Sequence, residues 1–375
     1  MQQKILYIAN VDFFLVSHRL NLAIEAENKG YEVHIACEFT DKYNFLKEMG
    51  FNLHRLSYKR SSKFPSILKE IKSFFEILFL LKKINPNLIH AISLKPIIYV
   101  GIIINFFPKI KLIISITGLG YVFNNSEKKL SFLKKIITTF FKRIFRNKNV
   151  VTIFQNSNNK SILESYGVTF YGKTKLIKGA GVDLDKFKYV KEPTEEFRVI
   201  MISRLLVDKG VREFSAASKI LYKKNIKVKM IIVGGIDNNP TSIQKEEISN
   251  WEENNNLEWW GYKKNIPKII SMANLICLPS YHEGFPKVLM EAAAGSRAVI
   301  TTDVPGCRDA IIPNKTGILI KLKNSEEIAL AIEDLKNNDI KRKQMGLEAR
   351  KHAEKYFNIH KITQEHMEIY SGKYL

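Results

Sequence analysis

"LICLPSYHEGFPKVLMEAAAGSRAVITTDV" spans Leu275 to Val304 and holds three segments in order. "LICLPS" and "AVITTDV" are short, apolar, strand-like runs. Between them, "KVLMEAAAG" is rich in helix formers and ends at Gly295, so it predicts a helix with a glycine stop. A strand, a helix and a second strand, both strands mainly apolar and β-branched, are the unit of a parallel sheet covered on both faces. The pattern recurs along the chain. The same half holds "FRVIMISRLL" (197–206), "KMIIVGG" (229–235) and "GILIKL" (317–322). The first half holds "KILYIAN" (4–10), "EVHIACE" (32–38), "NLIHAIS" (87–93), "KLIISITG" (111–118) and "VVTIFQN" (150–156). Two such sets in 375 residues, more than one ordinary core takes, predict an α/β protein of two doubly wound domains.

"GAGVDLDKFKYVKEPTEEF" (179–197) mixes Gly, Pro and charges without a sustained period. The linker is expected there, at 181–196, between a first domain at 1–180 and a second at 197–354. Residues 355–375 read as a terminal helix able to cross back to the first domain. Mean hydropathy of −0.13 fits a globular chain rather than a membrane-spanning or disordered one. "MQQKILYIAN" lacks the basic, apolar and small-residue order of a signal peptide. The run from Ile97 to Phe107 is too short for a bilayer, which takes about 20 apolar residues. Cys37, Cys277 and Cys307 lie far apart and read as small buried hydrophobes in a reducing cytoplasm.

The formal net charge is +22, and it is unevenly spread. Residues 51–150 hold 19 Lys or Arg against 3 Asp or Glu, a balance of +16, while the other 275 residues share +6. Such a patch points to an anionic partner: a phosphorylated substrate, an anionic membrane surface or nucleic acid. Nothing resembling a helix-turn-helix, zinc or RNA-binding signature accompanies it, so nucleic acid is not expected.

Ligands of open α/β sheets bind outside the carboxyl ends of the strands. Glu283 follows "LICLPS" within a few residues, and Glu291 lies eight further on, a little over two helical turns. Gly284, Phe285 and Pro286 fall at the start of the helix, where backbone N–H groups and the helix dipole favour a phosphate. A carboxylate suits the paired hydroxyls of a ribose or sugar, although the spacing alone favours two solvated surface acids. Arg204 and Lys209 follow another apolar strand and suit an anionic partner. Gly234 and Gly235 end a third strand and allow close backbone approach.

These stretches carry a resemblance. "SRLLVDKGVREF" (203–214), "IIVGGIDNNP" (231–240), "WWGYKKNI" (259–266) and "SYHEGFPKVLMEAAAGSRAVITTDVPGCRDAI" (280–311) resemble the retaining glycosyltransferases of family 4, with its E-x7-E pair at Glu283 and Glu291. The resemblance implies the GT-B fold, two Rossmann-like domains facing across a cleft, the first binding acceptor and the second a nucleotide sugar. It implies that Glu291 holds the ribose of a UDP-sugar, that Glu283 and the backbone of Gly284 to Lys287 hold sugar and diphosphate, and that Arg204 and Lys209 neutralise the leaving diphosphate. Val288 and Tyr262 sit in the same motifs and join the donor side. No metal is implied, since the family uses cationic side chains and helix dipoles in its place, and "DLD" (183–185) lies in the linker.

"FFLVSHRLNLAIEAENKGYEVHIAC" (13–37), "IHAISLKP" (89–96) and "SITGLGYVF" (115–123) resemble the branch that builds bacterial capsule, O-antigen and other glycans on a polyprenyl-diphosphate lipid. "DKGVREF" and "VGGIDNNP" look like members of that branch that add N-acetylgalactosamine to lipid-linked diacetylbacillosamine. The implied partners are a nucleotide sugar, a lipid-linked saccharide and, through the basic first domain, the inner face of the plasma membrane. His18, Arg19, His90, Lys95, Thr117 and Gly118 are the candidates for acceptor or sugar contact. Two features depart from the family pattern. Ile92 stands where many relatives carry the second His of a His-x-His, and "ANVDFFLVSHR" lacks a Gly-rich loop. His18 and His90 therefore fit structural roles equally well. A nucleotide-sugar epimerase or sugar phosphorylase on the same fold, and a non-catalytic nucleic-acid binder, are the rival readings.

"KKLSFLKKIITTFFKRIFRNK" (128–148) has Leu130, Leu133, Ile137, Phe140, Phe141 and Ile144 at helical spacing, with Lys134, Lys135, Lys142, Arg143 and Arg146 over much of the rest. This predicts a core-packing helix with a basic outer face. The charge balance and the implied lipid-linked acceptor raise a second reading, in which this helix or its neighbour at 66–84 meets an anionic membrane.

Overall fold

Short β-branched runs with little room for polar side chains pair edge to edge and are covered by helices on both faces. The computed structural model describes residues 2–57, 67–119, 123, 128–237 and 239–373. The described chain divides into two units: residues 1–180 with 362–375, and residues 181–361.

In the first unit the strands are β1 (Lys4–Val11), β2 (Glu32–Glu38), β3 (Asn52–Arg55), β4 (Leu88–Ile92), β5 (Lys111–Ile116), β6 (Val150–Phe154) and β7 (Thr174–Leu176). They form one parallel sheet in the order β3-β2-β1-β4-β5-β6-β7. Its helices are α1 (Asp12–Asn28), α2 (Tyr43–Glu48), α3 (Ile67–Ile84), α4 (Leu94–Ile103), α5 (Lys128–Ile144) and α6 (Ser157–Ser165). One core cluster joins the sheet to Ile77 and Leu81 of α3, Ile97 and Val100 of α4, and Ile137 and Phe141 of α5. A second joins it to Leu15 and Leu22 of α1 and to Ile362, Met367 and Tyr370 near the C-terminus.

In the second unit the strands are β8 (Arg198–Ile202), β9 (Lys229–Val233), β10 (Leu257–Trp259), β11 (Leu275–Leu278), β12 (Ala298–Thr302) and β13 (Gly317–Ile320). They pair in parallel in the order β10-β9-β8-β11-β12-β13. The helices are α7 (Val211–Lys223), α8 (Lys245–Asn254), α9 (Ile266–Ser271), α10 (Lys287–Ala294), α11 (Ser325–Asn337) and α12 (Asp339–Tyr356), followed by α13 (Ile359–Tyr370). The quoted stretch 275–304 is β11, α10 and β12.

The ten apolar runs seen in the sequence all contain strands. Three more strands, β3, β7 and β10, escape that pattern. They are three or four residues long, lie at or next to sheet edges, and carry exposed or half-exposed polar side chains that break the apolar run.

Residues 181–196, expected as a linker, pack on the second unit. Val182 bridges to Asn358, Arg350 donates to the carbonyl of Phe187, and Glu192 is ion-paired with Arg342 at 2.8 Å. The C-terminal residues divide: α12 belongs to the second unit, and the chain from Ile362 onward to the first. The three cysteines are buried and unpaired with one another. Among the described residues, no helix is long and apolar enough to cross a membrane.

Candidate active site

Strand order decides which loops meet. In the second unit β8 lies beside β11, with Val199 opposite Leu275 and Ile200 opposite Ile276. This is where the sheet reverses its winding, and open α/β sheets bind ligands at such a point, outside the carboxyl ends of the strands. Loop 203–210 carries Arg204 and Lys209, and loop 279–286 carries Glu283.

Lys209 donates to Glu283 Oε1 at 2.7 Å, and the Ser280 hydroxyl donates to the same oxygen at 2.8 Å. Both charged side chains are mostly buried. Burial alone would pull the Lys209 ammonium down, but the charge and hydrogen bond of Glu283 outweigh it and leave its pKa raised. Two further contacts stitch the loops. The Tyr281 amide donates to the carbonyl of Asp208 at 2.8 Å, and His282 Nε2 lies 3.5 Å from Asp208 Oδ2. Tyr281 also donates from its phenol to Glu213 Oε1 of α7 at 2.7 Å, and Lys323 stands over its ring at 4.8 Å. The other oxygen of Glu213 is buried with no hydrogen-bond partner among the described residues. Burial, reinforced by Glu213, keeps the Tyr281 phenol protonated. Tyr281→Phe leaves that carboxylate without its donor, so it is expected to lower the stability of the second unit by about 1–3 kcal/mol. Urea unfolding measures this, and an unchanged midpoint would show that Tyr281 does not pin the loop.

Arg204 stands apart from the Lys209–Glu283 pair. It is nearly half exposed and reaches Asp237 at 3.0 Å, past the end of β9, although its charge is felt at Lys209. Gly234 accommodates a close protein contact: a Cβ there would lie 1.8 Å from the carbonyl oxygen of Ser203. The glycine is thus required by the approach of the loop after β8, independently of any ligand. Gly235 has only ordinary contact with Tyr262, whose ring is exposed.

Glu283 lies in the loop and Glu291 on α10, so they reach the site from different elements. Pro286 caps α10 without a side-chain hydrogen bond to the first turn, and the helix then runs through Lys287 and Val288. Glu291 is buried, its carboxyl pKa raised by burial and partly restored by Lys287 at 3.4 Å. Phe285 is buried against Phe357. Gly306 holds the loop from the other side. It takes φ +81°, and a Cβ there would come within 2.5 Å of the Glu283 carbonyl oxygen.

Sequence reasoning passed over the supporting groups Asp208, Glu213, Asp237, Ser280, Tyr281, His282 and Gly306. Of these only Gly306 carries a sequence signal, the turn-forming "VPG". The others become visible when β8, β9 and β11 are placed side by side.

In the first unit the acceptor candidates separate. His90 and Arg19, both candidates for substrate contact, are wholly buried. His90 lies mid-strand in β4, with Nδ1 on the Tyr370 hydroxyl at 2.6 Å and Nε2 on Ser115 at 2.7 Å. Burial holds it well below the usual imidazole range, so it is neutral, with both ring nitrogens occupied. Ile92 is also buried. Arg19 donates to the carbonyl of His18, and burial brings its pKa down to about 10. Lys95 is ion-paired with Glu70 of α3 at 2.7 Å. His18 is half-buried and stacks on Phe14 at 4.4 Å. Thr117 and Gly118 follow β5 and are half-buried; Gly120 to Val122 of the same motif lie outside the described residues.

The unit has its own winding reversal, between β1 and β4. Two features there had no sequence reading. Asp12, fully buried, accepts from the Thr40 amide and hydroxyl, both at 2.7 Å, and from the Lys42 amide at 3.0 Å, tying the loop after β2 to the start of α1. Ser93, following β4, takes φ +76° and ψ 154°, a conformation suited to glycine.

Comparison with known proteins agrees with this layout. The profile described as Glycosyl transferases group 1 matches residues 182–352, and the one described as Glycosyl transferase 4-like matches residues 4–156. The N,N'-diacetylbacillosaminyl-diphospho-undecaprenol alpha-1,3-N-acetylgalactosaminyltransferase of Campylobacter jejuni is 29% identical over 317 residues, 80% of each chain. Sucrose-phosphate synthase of Thermosynechococcus elongatus superposes with a TM-score of 0.82 at 20% identity, over 100% of this chain and 99% of that one. Anabaena HepE in complex with UDP and glucose superposes with a TM-score of 0.76 at 16% identity, over 98% and 99%. The fold is GT-B. With one glycosyltransferase profile on each α/β unit and a transferase aligned over 80% of the chain, this chain belongs to the glycosyltransferases and is an enzyme that transfers sugars.

Proposed function

We propose that the protein moves a sugar, an N-acetylhexosamine, from a UDP-linked donor to a saccharide carried on a polyprenyl diphosphate, with retention of the anomeric configuration. The observation that carries this reading is the winding reversal of the second unit, where Lys209 and Glu283 meet in the loops before α10. An ammonium and a helix N-terminus suit a diphosphate, whose charge grows as the glycosidic bond breaks. Glu283 orients Lys209 and accepts sugar hydroxyls, Glu291 accepts the ribose hydroxyls, and Arg204 exchanges Asp237 for phosphate. No covalent nucleophile is assigned: the departing diphosphate takes the acceptor proton. The name of the Campylobacter relative supports the sugar and lipid classes. The first unit binds the acceptor, which puts the enzyme at the inner face of the plasma membrane.

The test is UDP release from UDP-N-acetylhexosamines, with and without a lipid-linked saccharide. Release that requires the acceptor supports transfer, whereas turnover of the donor alone into an epimer would replace it. UDP at 100 times its dissociation constant should stabilise the protein by about 2.7 kcal/mol, readable as a thermal shift, whereas GDP and ADP should do less. Since protein cations serve the diphosphate in this reading, transfer should persist after exhaustive EDTA treatment. Full loss, restored by Mg²⁺ or Mn²⁺, would overturn that part.

A further inference from the structure

Helix α5 does not divide as its spacing predicts. Ile137, Phe141 and Ile144 are buried, but Leu133 and Phe140, expected in the core, are exposed, as are Phe132 and Ile136. The side chain of Leu130 lies outside the described residues. These four exposed positions make an apolar ridge along the outside of the helix. Lys135, Lys142, Arg143 and Arg146 are exposed around it, and α5 contains no acidic residue.

Helix α3 repeats the arrangement. Leu68, Ile71, Phe75 and Phe79, spaced three or four apart, are exposed, with Leu68 at 77% and Phe79 at 63%. Lys72, Lys82 and Lys83 are exposed beside them. The two acids of α3 are engaged by neighbours: Glu70 accepts from Lys95 and Tyr99, and Glu76 accepts from the amide and hydroxyl of Ser57. Both helices pack against α4 and share one core cluster on one face of the sheet, so both ridges stand on the outside of one helical layer. A large apolar ridge on the surface of a globular unit marks an interaction site. Basic residues beside apolar ridges match an anionic bilayer, which offers phosphates at the headgroups and an apolar boundary just beneath.

We propose that this face is a membrane-docking surface. Phe75 and Phe79 of α3 and Phe132 and Phe140 of α5 sink into the headgroup–acyl boundary, while the flanking lysines and arginines meet lipid phosphates. The proposal rests on the reading that the acceptor is lipid-linked, and it goes further in naming the inserting side chains. Charge alone would give attachment that salt abolishes; insertion leaves a remainder at high salt.

The test is flotation of the full chain with phosphatidylcholine vesicles, with and without phosphatidylglycerol. Binding to the mixed vesicles at low salt, weakened but not abolished at high salt, is expected. Changing Phe75, Phe79, Phe132 and Phe140 together to Ser should reduce partitioning by about 100-fold, since each loses buried apolar area. All four are surface residues, so the UDP-induced thermal shift should be unchanged. A Phe79→Trp variant should show a blue shift in emission on adding mixed vesicles. No binding to mixed vesicles, binding indifferent to the four Ser changes, or a stable dimer in light scattering that those changes dissolve would overturn the proposal. Transfer to a water-soluble, short-chain acceptor separates the two readings. If that transfer succeeds while vesicle binding fails, only the docking face is lost; if vesicles bind but no lipid-linked saccharide is extended, the acceptor reading is lost.

Discussion

Lys209→Met is expected to lower turnover at saturating donor by about 10²–10³-fold, the usual loss when one preorganised donor to a developing anion is removed. The ammonium is held in place before substrate arrives, 2.7 Å from Glu283. It therefore needs little reorganisation as the diphosphate gains charge. The same substitution has a structural cost. It strands Glu283, largely buried, with Ser280 as its remaining side-chain donor in the site, and breaking such a pair costs about 3–5 kcal/mol. Loss of activity through unfolding must therefore be separated from loss of chemistry. The double variant Lys209→Met, Glu283→Gln removes the stranded charge, so its unfolding midpoint should recover toward wild type while its turnover stays low. Recovery of both would make Lys209 a structural lysine. The pH dependence has a definite sign. Because the pKa of Lys209 is raised in the folded state above 10.5, its stabilisation is fully present below that value and is lost as pH rises through the folded pKa. A fall in turnover between neutral pH and about 10 belongs to another group.

Glu291→Gln is expected to weaken UDP binding by roughly 10–150-fold, the equivalent of about 1.5–3 kcal/mol for hydrogen bonds to a charged acceptor. The isolated protein should respond in the opposite direction. Burial raises the Glu291 pKa above its ordinary 4.5, so ionising it costs folding energy, offset in part by Lys287. The sign follows from linkage: a carboxyl whose folded pKa is raised destabilises the fold increasingly as pH climbs from the unfolded value through the folded one. The Gln variant should therefore equal or exceed wild type in melting temperature at pH 8, and the difference should shrink toward pH 4. Calorimetry with UDP and with pyrophosphate decides the role. Pyrophosphate has no ribose and should bind both proteins alike; equal weakening of both ligands would refute the ribose assignment. A wild type clearly more stable than Glu291→Gln without ligand would refute the burial argument.

What could be read in the chain alone was whatever local chemistry encodes. The strands β4, β6, β11 and β12 are buried from end to end and mostly apolar because both faces are covered. That pattern survives in a one-dimensional reading, and with it the two-unit α/β architecture. Glu283, Glu291, Arg204 and Lys209 could be singled out because each follows such a strand or sits on the helix after it. The sequence also held the imbalance of charge in residues 51–150.

Pairing across the fold was set elsewhere. Lys209 and Glu283 are 74 residues apart, and they meet because β8 and β11 are neighbours at the winding reversal. His90 stands 280 residues from Tyr370, whose hydroxyl occupies its ring nitrogen once the C-terminal residues join the first unit. No local signal announces such a partner, which is why a buried structural histidine and a substrate contact read alike. The same limit applies to α5. Helical spacing marks which residues share a face, but it cannot say which of two apolar faces the protein covers. Packing against α4 buried Ile137, Phe141 and Ile144 and left Phe132, Ile136 and Phe140 outside. A helix presents one arc to its neighbour, and the position of that neighbour is a property of the tertiary structure.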